Sequence, residues 1–257
     1  MISTVRYTFI DLKYRLYDLF LSKTSKAECH DVLMQWNSYF KGLGEREKKE
    51  FVIRTLRFLG SAQIESEKGF AVTREMQLLL GSAFVQITFG LNHDVLEYFN
   101  RIVLFSKNYT YKNSNIYLKG DVNPLTRSVN LSWPAIESGF KSSSDGINLA
   151  LHEFAHCLIL ENSKKNYFQR ILHPGQLKQW ERLGIKQIAR IRQGQTTVFR
   201  KYGGTNLMEM FAVALETFFE RPLDFHADAP EFYNCMCFLL KQDPRHTENP
   251  TRILRTL

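Results

Sequence analysis

Ile147-Asn148-Leu149-Ala150-Leu151-His152-Glu153-Phe154-Ala155-His156-Cys157-Leu158-Ile159-Leu160-Glu161-Asn162 is the stretch on which the reading of this chain turns. On a helix, residues four apart project from one face a turn apart, so His152 and His156 can share a metal ion. Neutral imidazole is a good Zn²⁺ ligand, and two in this register fill two corners of a tetrahedral site. Glu153 cannot fold back as a third ligand, but its carboxylate can reach a water on the metal's open side. That is the H-E-x-x-H pattern, in which the acid takes a proton from water polarised by the metal.

Three fixed residues in five recur by chance, so the flanks must support a helix. Ser144 and Asp145 are the expected N-caps ahead of Ile147. Leu149, Ala150, Leu151, Phe154, Ala155, Leu158 and Ile159 give a buried helix, and Asn162 to Lys165 its polar end. The bland account is a core helix with two satisfied histidines and a capped acid. It is the weaker one, because three polar residues in an apolar helix need a compensating partner and a metal supplies it.

Composition bounds the rest. The chain has 257 residues, 44% hydrophobic and 23% charged, which is a globular composition with room for a sizeable core. The net charge of +8 is scattered, so no direct nucleic-acid binding is expected. The one basic concentration, Lys186 to Lys201 with Arg190, Arg192, Arg200 and Lys201, reads as a solvated helix face rather than a rim for acidic substrates. Charges at Arg6, Asp11, Lys13, Arg15 and Asp18 interrupt any leader, and Met76 to Asn92 is too polar to span a membrane. Cys29, Cys157, Cys235 and Cys237 lack disulfide or zinc-finger spacing, although Cys235-x-Cys237 could hold a metal, and a reducing cytoplasm is the expected home.

In chain order, residues 1 to 40 alternate aromatic and charged residues at helical spacing, Glu45 to Leu59 reads as a second helix, and Val72 to Phe89 as a third. Gly81-Ser82 inside the third allows close helix approach. The period then changes. Arg101 to Ser106, Asn115 to Leu118 and Ser128 to Trp133 read as strands, with turn chemistry at Gly120 to Pro124. The division expected is a helical region, 1–95, packed on a catalytic part, 96–257, as one unit.

A third ligand has to come from downstream. A metzincin site needs Gly and His where the chain has Ile159 and Asn162. A thermolysin-like Glu-x-x-x-Asp fails because Glu181 is followed by Ile185. The strong helix from Asn206 to Glu220 carries Glu209 and Glu216 on one face. Each has another use open to it: Glu209 lies where a capping box behind Asn206 would employ it, and Glu216 could complete a buried ion pair.

Val129-Asn130-Leu131-Ser132-Trp133, then His152 to His156, then Tyr202-Gly203-Gly204-Thr205-Asn206 running into Glu209 to Phe219, resembles the Mlc titration factor A family of zinc peptidases. The catalytic domain of the lethal-factor metallopeptidases is similar at greater distance. The resemblance extends from about Arg101 to Pro244, including Gln242-Asp243-Pro244. It implies one Zn²⁺ per chain on His152, His156 and Glu209, with Glu153 as general base. It implies a Tyr202 hydroxyl steadying the oxyanion, and Glu216 as the acceptor that orients a ligand imidazole. Where the family has Leu-Asp after the second histidine this chain has Cys157-Leu158-Ile159, so the outer carboxylate there is missing or comes from Glu161. Cytoplasmic location, aminopeptidase-like activity and binding to a transcriptional repressor are also implied.

The expectation is therefore a predominantly helical α+β protein of zincin type, with a small sheet above the active-site helix, hydrolysing bonds in a peptide or protein substrate. The strand around Leu131 is expected to pair with that substrate. A different class of function is a protein that sequesters a transcriptional regulator, its zinc site structural or vestigial.

Overall fold

The computed structural model describes residue 18 and residues 21–91, 93–112, 114–165 and 170–251. The expected first helix begins outside this range. Within it, Ser22 caps α1 (Lys23–Trp36), its Oγ accepting the Ser25 N–H at 3.0 Å. The chain continues through α2 (Ser38–Gly42) and α3 (Glu45–Ser61), which runs through Gly60 past its expected end at Leu59. Then come β1 (Gln63–Ser66), α4 (Arg74–Thr88), β2 (Arg101–Phe105), β3 (Gly120–Asn123) and β4 (Ser128–Ser132). Six more helical elements follow: α5 (Trp133–Lys141), α6 (Leu149–Lys164), α7 (Pro174–Arg192), α8 (Leu207–Glu220), α9 (Pro222–Asp228) and α10 (Pro230–Leu240). A 3₁₀ turn, Lys201–Gly204, leads into α8. Among the described residues the fold is α+β and predominantly helical, with one four-stranded sheet.

The sheet order is β1-β2-β4-β3, with β1, β2 and β4 parallel and β3 antiparallel to β4. The register places Leu104 beside Leu131 and Leu131 beside Gly120. Two sequence expectations shift here. Residues 115–118 form no strand, only a bridge from Leu118 to Tyr109, and the turn expected at Gly120 to Pro124 is instead the edge strand β3. The strand β1 was not anticipated.

α6 lies under the sheet. Its N-cap is Asn148, whose Oδ1 accepts the Leu151 N–H at 3.2 Å. Asp145, expected as a cap, instead accepts the Ile147 N–H at 2.9 Å in the preceding turn. Ala150, Leu151, Phe154, Ala155, Cys157 and Leu158 are buried. Phe154 meets Phe84 of α4 at 5.6 Å and Phe58 of α3 at 5.8 Å between ring centroids, both edge-on. α4 approaches α3 closely at Gly81, where a Cβ would lie 3.3 Å from the Thr55 carbonyl oxygen. One contiguous apolar cluster runs from Cys29 to Leu240, and the apolar residues of α6 lie within it.

Candidate metal centre

His152 and His156 stand a turn apart on α6, their ring centroids 4.7 Å apart. α8 runs against the same face. Asn206 caps α8 by accepting the Glu209 N–H at 3.0 Å, which fixes where the first turn begins. The Glu209 carboxylate does not turn back to complete a capping box. Its Oε2 lies 3.0 Å from His152 Nε2 and 3.5 Å from His156 Nε2. Ligand atoms of these three residues all fall within 4.8 Å of one another.

Two turns along α8, Glu216 is 1% exposed. Its Oε2 lies 3.2 Å from His152 Nδ1, and its Oε1 accepts the Asn148 N–H at 2.8 Å. One carboxylate thus ties the start of α6 to the first imidazole. Arg200 pairs with Glu216 and brings its Nη2 to 3.1 Å from His152 Nδ1. This arginine's role is not legible from its neighbours, because it lies 16 residues from Glu216 and 48 from His152.

Glu153 is buried beside the imidazoles, and its Oε2 has no hydrogen-bond partner among the described residues. Burial pushes its carboxyl up to about 8; His152 opposes this, and Asp121, Glu209 and Glu216 add to it. Burial pulls the His152 imidazole down, but hydrogen bonds to Glu209 and Glu216 outweigh it and carry the group up to about 9. Glu209 is driven the other way: burial raises it, and the two histidines together hold it far below the usual carboxylate range. Three glutamates, Glu153, Glu209 and Glu216, and Asp121 thus crowd around the first imidazole, which is why their protons are so strongly redistributed.

These residues fit a divalent metal. Donor separations of 3.0 and 3.5 Å bracket the edge, roughly 3.3 Å, of a tetrahedron with Zn–N and Zn–O bonds of normal length. The crowding of acidic side chains around two imidazoles and the unpartnered buried oxygen of Glu153 favour a cation between the histidines and Glu209. Two imidazoles and a carboxylate are donors that Zn²⁺ accepts.

A cleft of about 340 Å³ opens over the site, walled by Leu118, Gly120, Asp121 and Val122 on one side and by Leu160, Tyr202 and Met208 on the other. Tyr202, on the 3₁₀ turn, is half exposed, its ring 5.9 Å from that of His152. Burial, with Glu209 and Glu153 nearby, raises its phenol pKa, so the hydroxyl stays a donor. Asp121 belongs to a network absent from the sequence reading. Tyr109 donates to its Oδ1, Tyr111 to its Oδ2 at 2.7 Å, and Asn130 Nδ2 to its Oδ1 at 3.2 Å.

Two sequence expectations are corrected, for Leu131 and for the basic stretch, and the choice left open for Glu161 is narrowed. Leu131 is 0% exposed on β4, which is paired on both sides, so it offers no edge to a substrate. Glu161 does not reach His156. It accepts the N–H groups of Glu97, Tyr98 and Phe99 at 3.1, 2.7 and 3.0 Å, and His156 Nδ1 has no partner among the described residues. The basic stretch is not a simply solvated face either. Arg190 pairs with Asp228 at 2.9 Å, Arg192 donates to the Gly204 and Thr205 carbonyls, and Arg200 is committed to Glu216. Cys235 and Cys237 are buried free thiols on α10.

Comparison with known proteins agrees with this geometry. An uncharacterised protein of Synechocystis sp. is 20% identical over 213 residues, covering 77% of this chain and 78% of its own length. Mlc titration factor A of Escherichia coli is 22% identical over 244 residues, covering 85% and 90%. That of Cronobacter sakazakii is 22% identical over 223 residues, covering 79% and 82%. The family model of the glucose-regulated metallo-peptidase M90 matches residues 13–239, a span that holds every side chain of the centre, and the chain belongs to that family.

Proposed function

We propose that this protein is a zinc-dependent peptidase of zincin type that hydrolyses peptide bonds at the His152–His156–Glu209 centre. The observation that carries the reading is the meeting of three ligand side chains from two helices, with a buried, unpartnered carboxylate, Glu153, beside them. Zn²⁺ bound there supplies Lewis-acid polarisation of a carbonyl and acidifies water. Glu153 then accepts a proton from the attacking water and hands it to the departing amine. Tyr202 donates its hydroxyl to the oxyanion, a charge that exists only on the way through the transition state. Glu216 accepts from His152 Nδ1–H, which leaves Nε2 free to ligate, and Arg200 balances the charge of Glu216.

The edge strand beside the cleft offers an extended substrate a place to lie. Among the described residues β3 pairs on one side alone, and it borders the cleft. Its outer edge, rather than the strand of Leu131, takes the peptide as an added strand. Aminopeptidase-like cleavage of small substrates and a cytoplasmic setting are the finer parts of the proposal. No helix among the described residues is long and apolar enough to cross a membrane.

The name shared by several relatives, Mlc titration factor A, favours a second reading, in which the chain sequesters a regulator of transcription and the metal site is structural. Glu153 separates the two, because a structural site needs the histidines and no base. Glu153→Gln is expected to lower peptide hydrolysis at least 10²-fold with zinc content and fold unchanged. Turnover that survives this change, or regulator binding that is the sole measurable property of the wild type, overturns the peptidase reading.

A further inference from the structure

We propose that Gly120 is a positioning residue for the general base, and that the absent side chain at this point of the edge strand is the space in which the Glu153 carboxylate sits. The proposal rests on Glu153 being that base. A Cβ at Gly120 would lie 2.8 Å from Glu153 Oε1, 2.9 Å from Glu153 Cγ and 2.9 Å from Leu149 Cδ1, closer than real Cβ atoms approach. The backbone at Gly120 lies on the negative-φ side, open to any residue, so glycine is required for room and not for conformation. Among the described glycines it is the one whose added Cβ would touch the H-E-x-x-H residues. Gly90 is more crowded still, at 2.2 Å, but against the Lys241 carbonyl, so its contact concerns the fold rather than the site.

If a methyl group were added, something would have to move, and the strand is the better anchored partner. Gly120 is in ladder register with Leu131, the Ser132 N–H donates to the Lys119 carbonyl at 2.7 Å, and Leu118 exchanges both bridge bonds with Tyr109. Asp121, the next residue, is held by Tyr109, Tyr111 and Asn130. The mobile element is the Glu153 side chain. In the wild type the bare strand backbone closes one side of the carboxylate and thereby restricts its rotamers, so the base is held in place before substrate arrives.

The test is Gly120→Ala in the full chain, read by peptide hydrolysis, by zinc affinity in chelator competition, and by a crystal structure of the variant. The expected result is a fall in kcat of about 10- to 100-fold, the usual cost of an ångström's misplacement. Zinc affinity stays unchanged, KM changes far less than kcat, and the Glu153 carboxylate is displaced. Should the single variant fail to fold, Leu149→Ala with Gly120→Ala removes the contact with Leu149 and keeps the one with Glu153, with Leu149→Ala alone as its active reference. Wild-type kcat in the folded variant, or Glu153 found in its original place, overturns the proposal. If Glu153→Gln keeps turnover, it is the assignment of the base that fails; if Glu153→Gln is inactive and Gly120→Ala is not, the role of Gly120 alone fails.

Discussion

Glu209 stands three residues after an asparagine N-cap, where an acidic side chain ordinarily bends back to the cap's own N–H. Here the asparagine does its half, accepting the Glu209 N–H, while the carboxylate reaches across to α6. Local spacing could not decide between these uses, because the deciding partner, His152, is 57 residues away. The ligand histidines were legible for the opposite reason: their relation is contained in four residues of one helix. Arg200 was read as part of a charged surface, since nothing near it in sequence announces Glu216. Leu131 shows the same limit. Its alternating surroundings identify a strand but do not tell an inner strand from an edge. A polar substitution such as Leu131→Gln is therefore expected to cost about 2–5 kcal/mol of stability, the range for losing a buried leucine, and not to raise KM. Denaturant titration together with peptide kinetics checks this, and a stable variant with raised KM would return Leu131 to the substrate.

At the scale of elements, α6 was recognised by its apolar content and its start was misplaced. Asp145 and Asn148 are both good caps by type; Asp145 closes the turn before the helix and Asn148 caps it. The edge strand β3 was missed because Gly120, Asp121 and Asn123 are turn residues by propensity, and pairing with β4 overrides propensity. Glu161, near the end of α6, anchors the segment entering β2 by accepting three consecutive N–H groups. Burial raises its carboxyl pKa, but His93 and those three N–H groups outweigh burial and lower it. A carboxyl lower in the folded than in the unfolded chain stabilises above the ordinary glutamate pKa. That contribution fades as pH falls through it toward the folded value. Glu161→Gln is expected to lose about 2–4 kcal/mol at neutral pH, as for a buried carboxylate deprived of charge-assisted hydrogen bonds. It should also flatten the fall in stability below pH ~4.5. Unfolding free energies of wild type and variant across that range decide it, and parallel curves would contradict the assignment.

Over the whole molecule, the helices before residue 95 and the part after it share one apolar cluster, and β1 from the first part forms the sheet's far edge. We therefore expect the two parts to unfold together. Far-UV circular dichroism and the fluorescence of Trp36, Trp133 and Trp180 should give coincident denaturant transitions, and two separated transitions would contradict it. This core also explains how residues far apart in sequence converge: α4 packs on α6 and Phe58 of α3 meets Phe154, while α7 and α9 pack on α8 and Tyr233 of α10 meets Phe218. The central claim is that this convergence is a metal site. Anomalous diffraction at the zinc edge from crystals of the zinc-loaded protein tests it most directly. The account predicts one peak per chain within bonding distance of His152, His156 and Glu209; no peak there, or one held by other residues, would contradict it.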